Sequence, residues 1–279
     1  MPFTYEYPRP AVTVDVVLFS ARGPELSVLL IRRRHAPFRG SWALPGGFVD
    51  ESESLEHAAL RELHEETSVG GVRIEQLGAW GDPGRDPRGH TVSVAYWAFL
   101  HTPPRAVASD DAAEVQWMPL TSLDLRSDDA TEPAPRAGRR RPARGLATLA
   151  FDHDRIILAA RERLRDRLSF RAPDLARTLV ELVPARFTLG ELQHVVEVAL
   201  GRQIDRRNFR AKLLAEKVVE PALGIRSGKH RPAQLHRFTE RPALDAPPPP
   251  KPIAVKKAPK KAAKRRAPAR GKTKGGSSR

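Results

Sequence analysis

The sequence predicts an α+β protein: a sheet-and-helix sandwich, then a small helix-turn-helix module, then a disordered basic tail. Three observations predict it. Apolar stretches with strand-like alternation lie before and after a single acidic amphipathic segment, residues 54–67, so strands bracket one helix. Two capped helical patterns separated by Gly201 and followed by a basic, Gly- and Pro-bearing segment fill the region up to Arg241. Beyond it the chain is Pro/Lys/Ala low complexity with too few apolar residues to offset the entropy of ordering. The expected boundaries are 1–170, 171–241 and 242–279.

The elements follow in order. The β-branched run AVTVDVVLFS is a strand, and LSVLLIRRR after the ARGPE turn is its expected hairpin partner. The loop HAPFRGSWALPGG leads into the acidic helix; Phe38 and Trp42 in it are expected to pack, with stacking on a base as the alternative. GVRIEQLGAW and HTVSVAYWAFL are strands separated by the turn-rich GDPGRDPRG, and EVQWMPLTSL is a strand running into a short helical turn. Residues 124–145, with three prolines and dense charge, are a loop. A helix within ATLAFDHDRIILAARERLRDRL completes the first domain, and ARTLVELVP is expected to begin a second small core.

Charge is unevenly placed in the 279 residues, whose formal net charge is +15. After Pro250 there are 12 Lys/Arg and no acid; residues 185–241 carry 12 against 6, and residues 1–184 carry 24 against 26. A nearly neutral front and a basic rear imply two jobs, the rear suited to a polyanion. The absence of cysteine excludes disulfides and thiolate metal sites. No signal-peptide pattern and no apolar run near the roughly 20 residues of a membrane span are present, so a soluble cytoplasmic protein with no membrane partner is expected.

In GGFVDESESLEHAALRELHEETSV, Glu62, Glu65 and Glu66 stand at i, i+3 and i+4. Like charges at that spacing repel, yet they lie beside Ala58 and Ala59 rather than on a polar face, with Arg61, His57 and His64 expected opposite. Hard carboxylate oxygens around Mg²⁺ or Mn²⁺ resolve such a conflict. Reading from Gly47, five residues lead to Glu53 and seven more to Arg61-Glu62, then Leu63, His64, Glu65-Glu66, Thr67, Ser68 and Val69. The stretch resembles the Nudix box, G-x5-E-x7-R-E-U-x-E-E-x-G-U, with Ser68 as the one departure. The resemblance implies an α/β/α sandwich that cleaves nucleoside diphosphates linked to another group. It implies Glu62, Glu65 and Glu66 as metal ligands, Arg61 pairing with Glu53, and all five as the catalytic set. Gly46 and Gly47 would permit the close turn into the helix. Ser68 stands where a left-handed glycine cap is usual, and Gly70 and Gly71 could take over that turn. Glu114 is a candidate general base, and Arg85 and Arg88 of the loop GDPGRDPRGH are candidate phosphate ligands.

In FTLGELQHVVEVALGRQIDRRNFRAKLLAEKVVEP, Thr188 and Glu191 form a capping box ahead of the stripe Leu189, Leu192, Val195, Val196 and Leu200. Asp205 can cap a second helix packing Phe209, Leu213 and Leu214, and IRSGKHRPAQLHRF makes a basic hairpin. This is a winged helix-turn-helix in outline, in which the second helix enters the major groove of double-stranded DNA. Arg206, Arg207, Asn208, Arg210 and Lys212, with Lys229 and Arg231 in the wing, are the expected contacts. Together the two modules resemble the Nudix-related transcriptional regulators of NAD metabolism. That resemblance implies a bacterial homodimer whose Nudix domain binds ADP-ribose and thereby releases DNA, with hydrolysis kept in some members. The alternative is a stand-alone pyrophosphohydrolase whose C-terminal module serves dimerisation.

Overall fold

The structure is a computed structural model and describes residues 6–21, 23–108, 112–125, 145–172, 175–227 and 232–240. The wing residues Lys229 and Arg231, most of the 124–145 loop and the basic tail lie outside the described residues. Strands β1 (Ala11–Ser20), β2 (Ser27–Arg33), β3 (Trp42–Ala43) and β4 (Gly46–Phe48) precede helix α1 (Leu55–Thr67). After it come β5 (Glu75–Trp80), β6 (Thr91–Phe99), β7 (Ala112–Pro119) and helix α2 (His153–Arg167). These strands form one sheet of order β3-β2-β1-β6-β5, with β4 also pairing β1 and β7 pairing β2.

Both faces of β1 are buried, and its alternation decides what each face meets. Val14, Val16 and Leu18 pack with Ala58, Ala59 and Leu63 of α1. Val17 and Phe19 turn the other way, joining Trp97 and Phe99 of β6 beneath Ile156, Ile157, Ala160 and Leu164 of α2. The result is the expected α/β/α sandwich. The same alternation carries Asp15 onto the α2 side, where it is buried.

The hairpin between the first two strands is shorter than the sequence implies. β1 meets β2 only at Phe19–Val28 and Ser20–Ser27, and then runs parallel to β6 over nine residue pairs. β2 spends its length on β7. The reason is β4, which inserts against Thr13, Val14 and Asp15 and takes the edge that β2 would have used.

The C-terminal elements are α3 (Leu175–Leu182), β8 (Phe187–Thr188), α4 (Leu189–Leu200), α5 (Arg206–Ala215), β9 (Val219–Arg226) and β10 (Ala233–Phe238). The strands pair in the order β8-β10-β9. Both halves of the Thr188/Glu191 capping box are present, Gly201 ends α4 at φ 68°, and the Asp205 side chain accepts from Asn208 N–H. Phe209 and Leu213 are buried but Leu214 is exposed, so the apolar stripe of α5 is narrower than expected. Nor does α3 open a separate core. Its Leu175, Leu179 and Leu182 belong to one cluster that runs from the sheet through α2 to α4 and α5. Among the described residues, no helix is long and apolar enough to cross a membrane.

Candidate functional site

Ser54 caps α1 by accepting from His57 N–H, and the buried residues Ala58, Ala59, Leu63 and Thr67 seat the helix on the sheet. That seating turns Glu62 and Glu66 toward β4, while Glu65 stays exposed. Glu66 Oε2 accepts the Gly46 N–H at 2.9 Å. Glu66 is half-buried as a residue, but its carboxyl end is desolvated, and burial pushes it up to about 8. Burial likewise raises Glu62 against the pull of Arg61.

Arg61 is not opposite the acids, as the helical arc implies, but among them. Its length lets it fold across the helix, where it forks onto Glu53 at 2.9 Å and reaches Glu62 at 2.8 Å, Glu65 at 3.1 Å and Phe48 O at 3.1 Å. The pair with Glu53 is the contact the Nudix resemblance implies. Hydrogen bonding to Glu53 is the main reason the Arg61 guanidinium is held charged, and it keeps Glu53 below the usual carboxylate range.

The glycines have a different purpose from the one expected. Neither Gly46 nor Gly47 has a positive φ; both are extended in β4. What they supply is closeness. A Cβ on Gly46 would lie 2.9 Å from Asp15 Oδ1 and nearer still to the Val14 carbonyl, and one on Gly47 would strike the Glu62 carboxylate. Ser68 itself takes the left-handed cap, at φ 58°, with its N–H on His64 O at 2.8 Å. The turn is therefore not handed on to Gly70 and Gly71.

Beside β4 is a cleft of about 120 Å³ whose lining includes Asp15, Arg33, Gly47, Arg88, Phe151 and His153. At its base, His153 Nδ1 accepts the Leu44 N–H at 2.8 Å while Nε2 lies 3.4 Å from Asp15 Oδ1. Ser93 donates to Asp15 in a short contact. Arg85, a candidate phosphate ligand, also lines the cleft but is buried, with its guanidinium forked onto Asp152 at 2.9 and 2.6 Å. It ties the β5–β6 loop to the head of α2. Arg88 is half-exposed, bonded to Asp86 at 2.7 Å, and lies 5.0 Å from the Phe48 ring and 5.8 Å from the Phe151 ring. Arg33 lies 5.0 Å from the same Phe151 ring, and its Nε donates to Pro37 O at 2.9 Å. Burial, then the like charge of Arg88, lowers its pKa. Phe38 packs edge-on against Phe151 at 4.8 Å, and Trp42 packs against the core while its backbone bridges to Leu149.

Sequence reasoning missed Asp15, Arg33, Phe151 and His153. Asp15 had a signal, an acid interrupting an otherwise apolar strand; the others are assembled only by the fold. Glu114 lies on β7, 3.6 Å from Arg32 and half-exposed.

On α5, Arg206, Arg207 and Asn208 are exposed in the first turn. Arg210 is half-buried, its Nε enclosed without a partner among the described residues and a terminal nitrogen beside Gly190, so it leans on α4 instead of pointing outward. Lys212 is six residues on, about 240° around the helix from Arg206, and its Nζ sits 4.7 Å from the Phe170 ring. Arg210 thus departs from the exposure expected of it because the middle of α5 is packed, whereas Lys212 is exposed as expected, on another side of the helix.

Among the described residues, no three acidic or histidine side chains converge as a ready-made cage. The donor chemistry nonetheless fits a divalent cation: three carboxylates within one turn, two of them raised by burial, a penalty that positive charge reverses.

Residues 9–137 match the NUDIX domain family, and residues 179–238 match the NrtR DNA-binding winged helix domain. The ADPR responsive transcriptional repressor NtrR of Acinetobacter baylyi is 33% identical over 235 residues, 84% of each chain. The ADP-ribose pyrophosphatase of Methanocaldococcus jannaschii is 35% identical over 151 residues, 54% of this chain and 73% of that one. Shewanella oneidensis NrtR complexed with a 27mer DNA superposes with a TM-score of 0.61 and 37% identity, covering 81% of this chain and 93% of that one.

Proposed function

Because the chain belongs to the NrtR family, in which a NUDIX domain is joined to a DNA-binding winged helix, we propose that it is an ADP-ribose-responsive repressor that also hydrolyses its ligand. The observation that carries the enzymatic half is the intact acid set of α1: Glu62, Glu65 and Glu66 with Arg61 locked to Glu53. A divalent cation, Mg²⁺ or Mn²⁺, held by Glu62, Glu65 and Glu66 would neutralise the pyrophosphate and activate a water. Arg61 fixes Glu53, Glu62 and Glu65, and the Gly46 N–H fixes one oxygen of Glu66 and leaves the other free to bind. Arg33 and Arg88 are the cleft's cations for the phosphates, in place of Arg85.

The regulatory half rests on the exposed first turn of α5. Arg206, Arg207 and Asn208 carry the residue types that read guanine and adenine edges, with Lys229 and Arg231 supplying phosphate contacts from the wing. The protein acts as a homodimer in the cytoplasm on operators of NAD-metabolism genes. Hydrolysis to AMP and ribose 5-phosphate would remove the inducer and restore repression.

The test follows AMP release from ADP-ribose with Mg²⁺ or Mn²⁺, alongside operator binding by fluorescence anisotropy. Glu66→Gln is expected to abolish turnover and spare DNA binding, and Arg206→Ala with Arg207→Ala to do the reverse. Loss of both activities in either variant would refute the division of labour. No AMP release from the wild type, with ADP-ribose still weakening operator binding, would leave a sensor without hydrolysis.

A further inference from the structure

The cleft and the recognition helix share one rigid element. The head of α2 forms the cleft wall through Phe151 and His153. Phe151 is a non-glycine residue at φ 54°, a left-handed conformation that persists in such a residue only where its surroundings impose it. Those surroundings are the rings and cations of the cleft: Phe38 edge-on at 4.8 Å, Arg33 at 5.0 Å and Arg88 at 5.8 Å. Arg33, whose Nε donates to the neutral Pro37 carbonyl, gains a charge-assisted partner when a phosphate arrives, and Arg88 exchanges the Asp86 carboxylate for it, so both are drawn away from the ring.

At its other end α2 meets the winged helix directly. Ala160 and Leu164 share a core with Leu192, Val196 and Ala199 of α4, and Arg165 donates to Leu200 O at 3.5 Å. Phe170, three residues beyond α2, sits edge-on to Phe209 of α5 at 5.9 Å, and Lys212 of the same helix covers its face. A helix of 15 residues spans about 22 Å, so a shift at its head reaches α5 through packed side chains.

We propose that α2 is the relay between the two activities: a diphosphate drawing Arg33 and Arg88 off Phe151 relaxes the strained turn, and α2 carries that displacement through Phe170 to the recognition helix. This inference rests on the reading that ADP-ribose weakens operator binding. Phe170 touches neither the cleft nor the carboxylates of α1, so it is a positioning residue for coupling and for nothing else in the reaction.

The experiment compares operator affinity with and without saturating ADP-ribose for the full chain, Phe170→Ala and Arg165→Gln, and measures AMP release for each. The wild type should lose roughly 5–150-fold in DNA affinity on adding ligand, the usual range of allosteric coupling. Phe170→Ala should reduce that ratio to below about 2-fold with AMP release and its KM unchanged, and Arg165→Gln should reduce it partly. A ratio equal to the wild type's in both variants overturns the relay. No response in the wild type refutes the underlying regulatory reading, a distinct outcome that removes the relay with it. Should Phe170→Ala fail to fold, Phe170→Leu keeps the apolar volume while losing the ring contacts, and an undiminished ratio there overturns the relay equally.

Discussion

Substituting alanine at Gly46 and at Gly47, neighbours in one three-residue strand, should have opposite consequences. At Gly46 a Cβ falls against the Val14 carbonyl and 2.9 Å from Asp15 Oδ1. The carbonyl is backbone of β1, fixed by nine pairs to β6, and cannot withdraw. Overpacking of that kind costs about 1–3 kcal/mol. For a domain this size each kcal/mol shifts Tm by about 2–4 °C, giving a fall of about 2–12 °C for Gly46→Ala. At Gly47 the nearest atoms are the Glu62 carboxylate, the far end of a flexible side chain that can rotate away. The cost there is that of an off-rotamer side chain, about 1 kcal/mol, but the carboxylate moves by about an ångström, a misplacement worth roughly 100-fold in rate. Thermal melts followed by circular dichroism, with AMP release measured well below Tm, separate the two. Gly46→Ala melting with the wild type, or Gly47→Ala melting as low as Gly46→Ala while retaining full turnover, would refute this account of why both positions are glycine.

Arg61→Lys keeps the charge but loses the planar fork that holds Glu53 while reaching Glu62, Glu65 and Phe48 O. The urea midpoint should correspond to about 2 kcal/mol less stability, with turnover reduced; an unchanged midpoint would show that the network contributes nothing. His153 gives a pH signature. Burial lowers its pKa, opposed by Asp15 and Asp152 and assisted by Arg85 and Arg33. The unfolded chain therefore takes up a proton below about pH 6.5 that the folded protein refuses. Stability should fall by about 1.4 kcal/mol per pH unit from there down to the depressed folded pKa. His153→Asn, which can still accept from Leu44 N–H, should flatten the urea-midpoint profile below pH 6.5; equal slopes in the two proteins would contradict it.

Much of the architecture was legible in sequence because it rests on local periodicity and end signals. The alternation of β1, the Ser54-to-Thr67 helix, the Thr188/Glu191 box and the Gly201 stop are properties of short windows, and each appears where its pattern places it. The acidic box was legible because its chemistry needs fixed spacing along one helix and its lead-in loop. What periodicity could not convey is how a long side chain folds. Arg61 crosses the helix to its anions, Arg210 leans on α4, and Arg85 is spent on Asp152.

The sequence by itself determined the two modules, the acids of α1 and the basic start of α5, because those are encoded within a few turns of chain. Only the tertiary structure decided which strands pair, why Gly46 and Gly47 must lack a side chain, and that Asp15, Arg33, Phe151 and His153 meet in one cleft. Those depend on β4 inserting beside β1 and on residues 147–153 returning to the sheet. The first pairs segments roughly 30 residues apart and the second segments more than a hundred apart, and no local pattern records either.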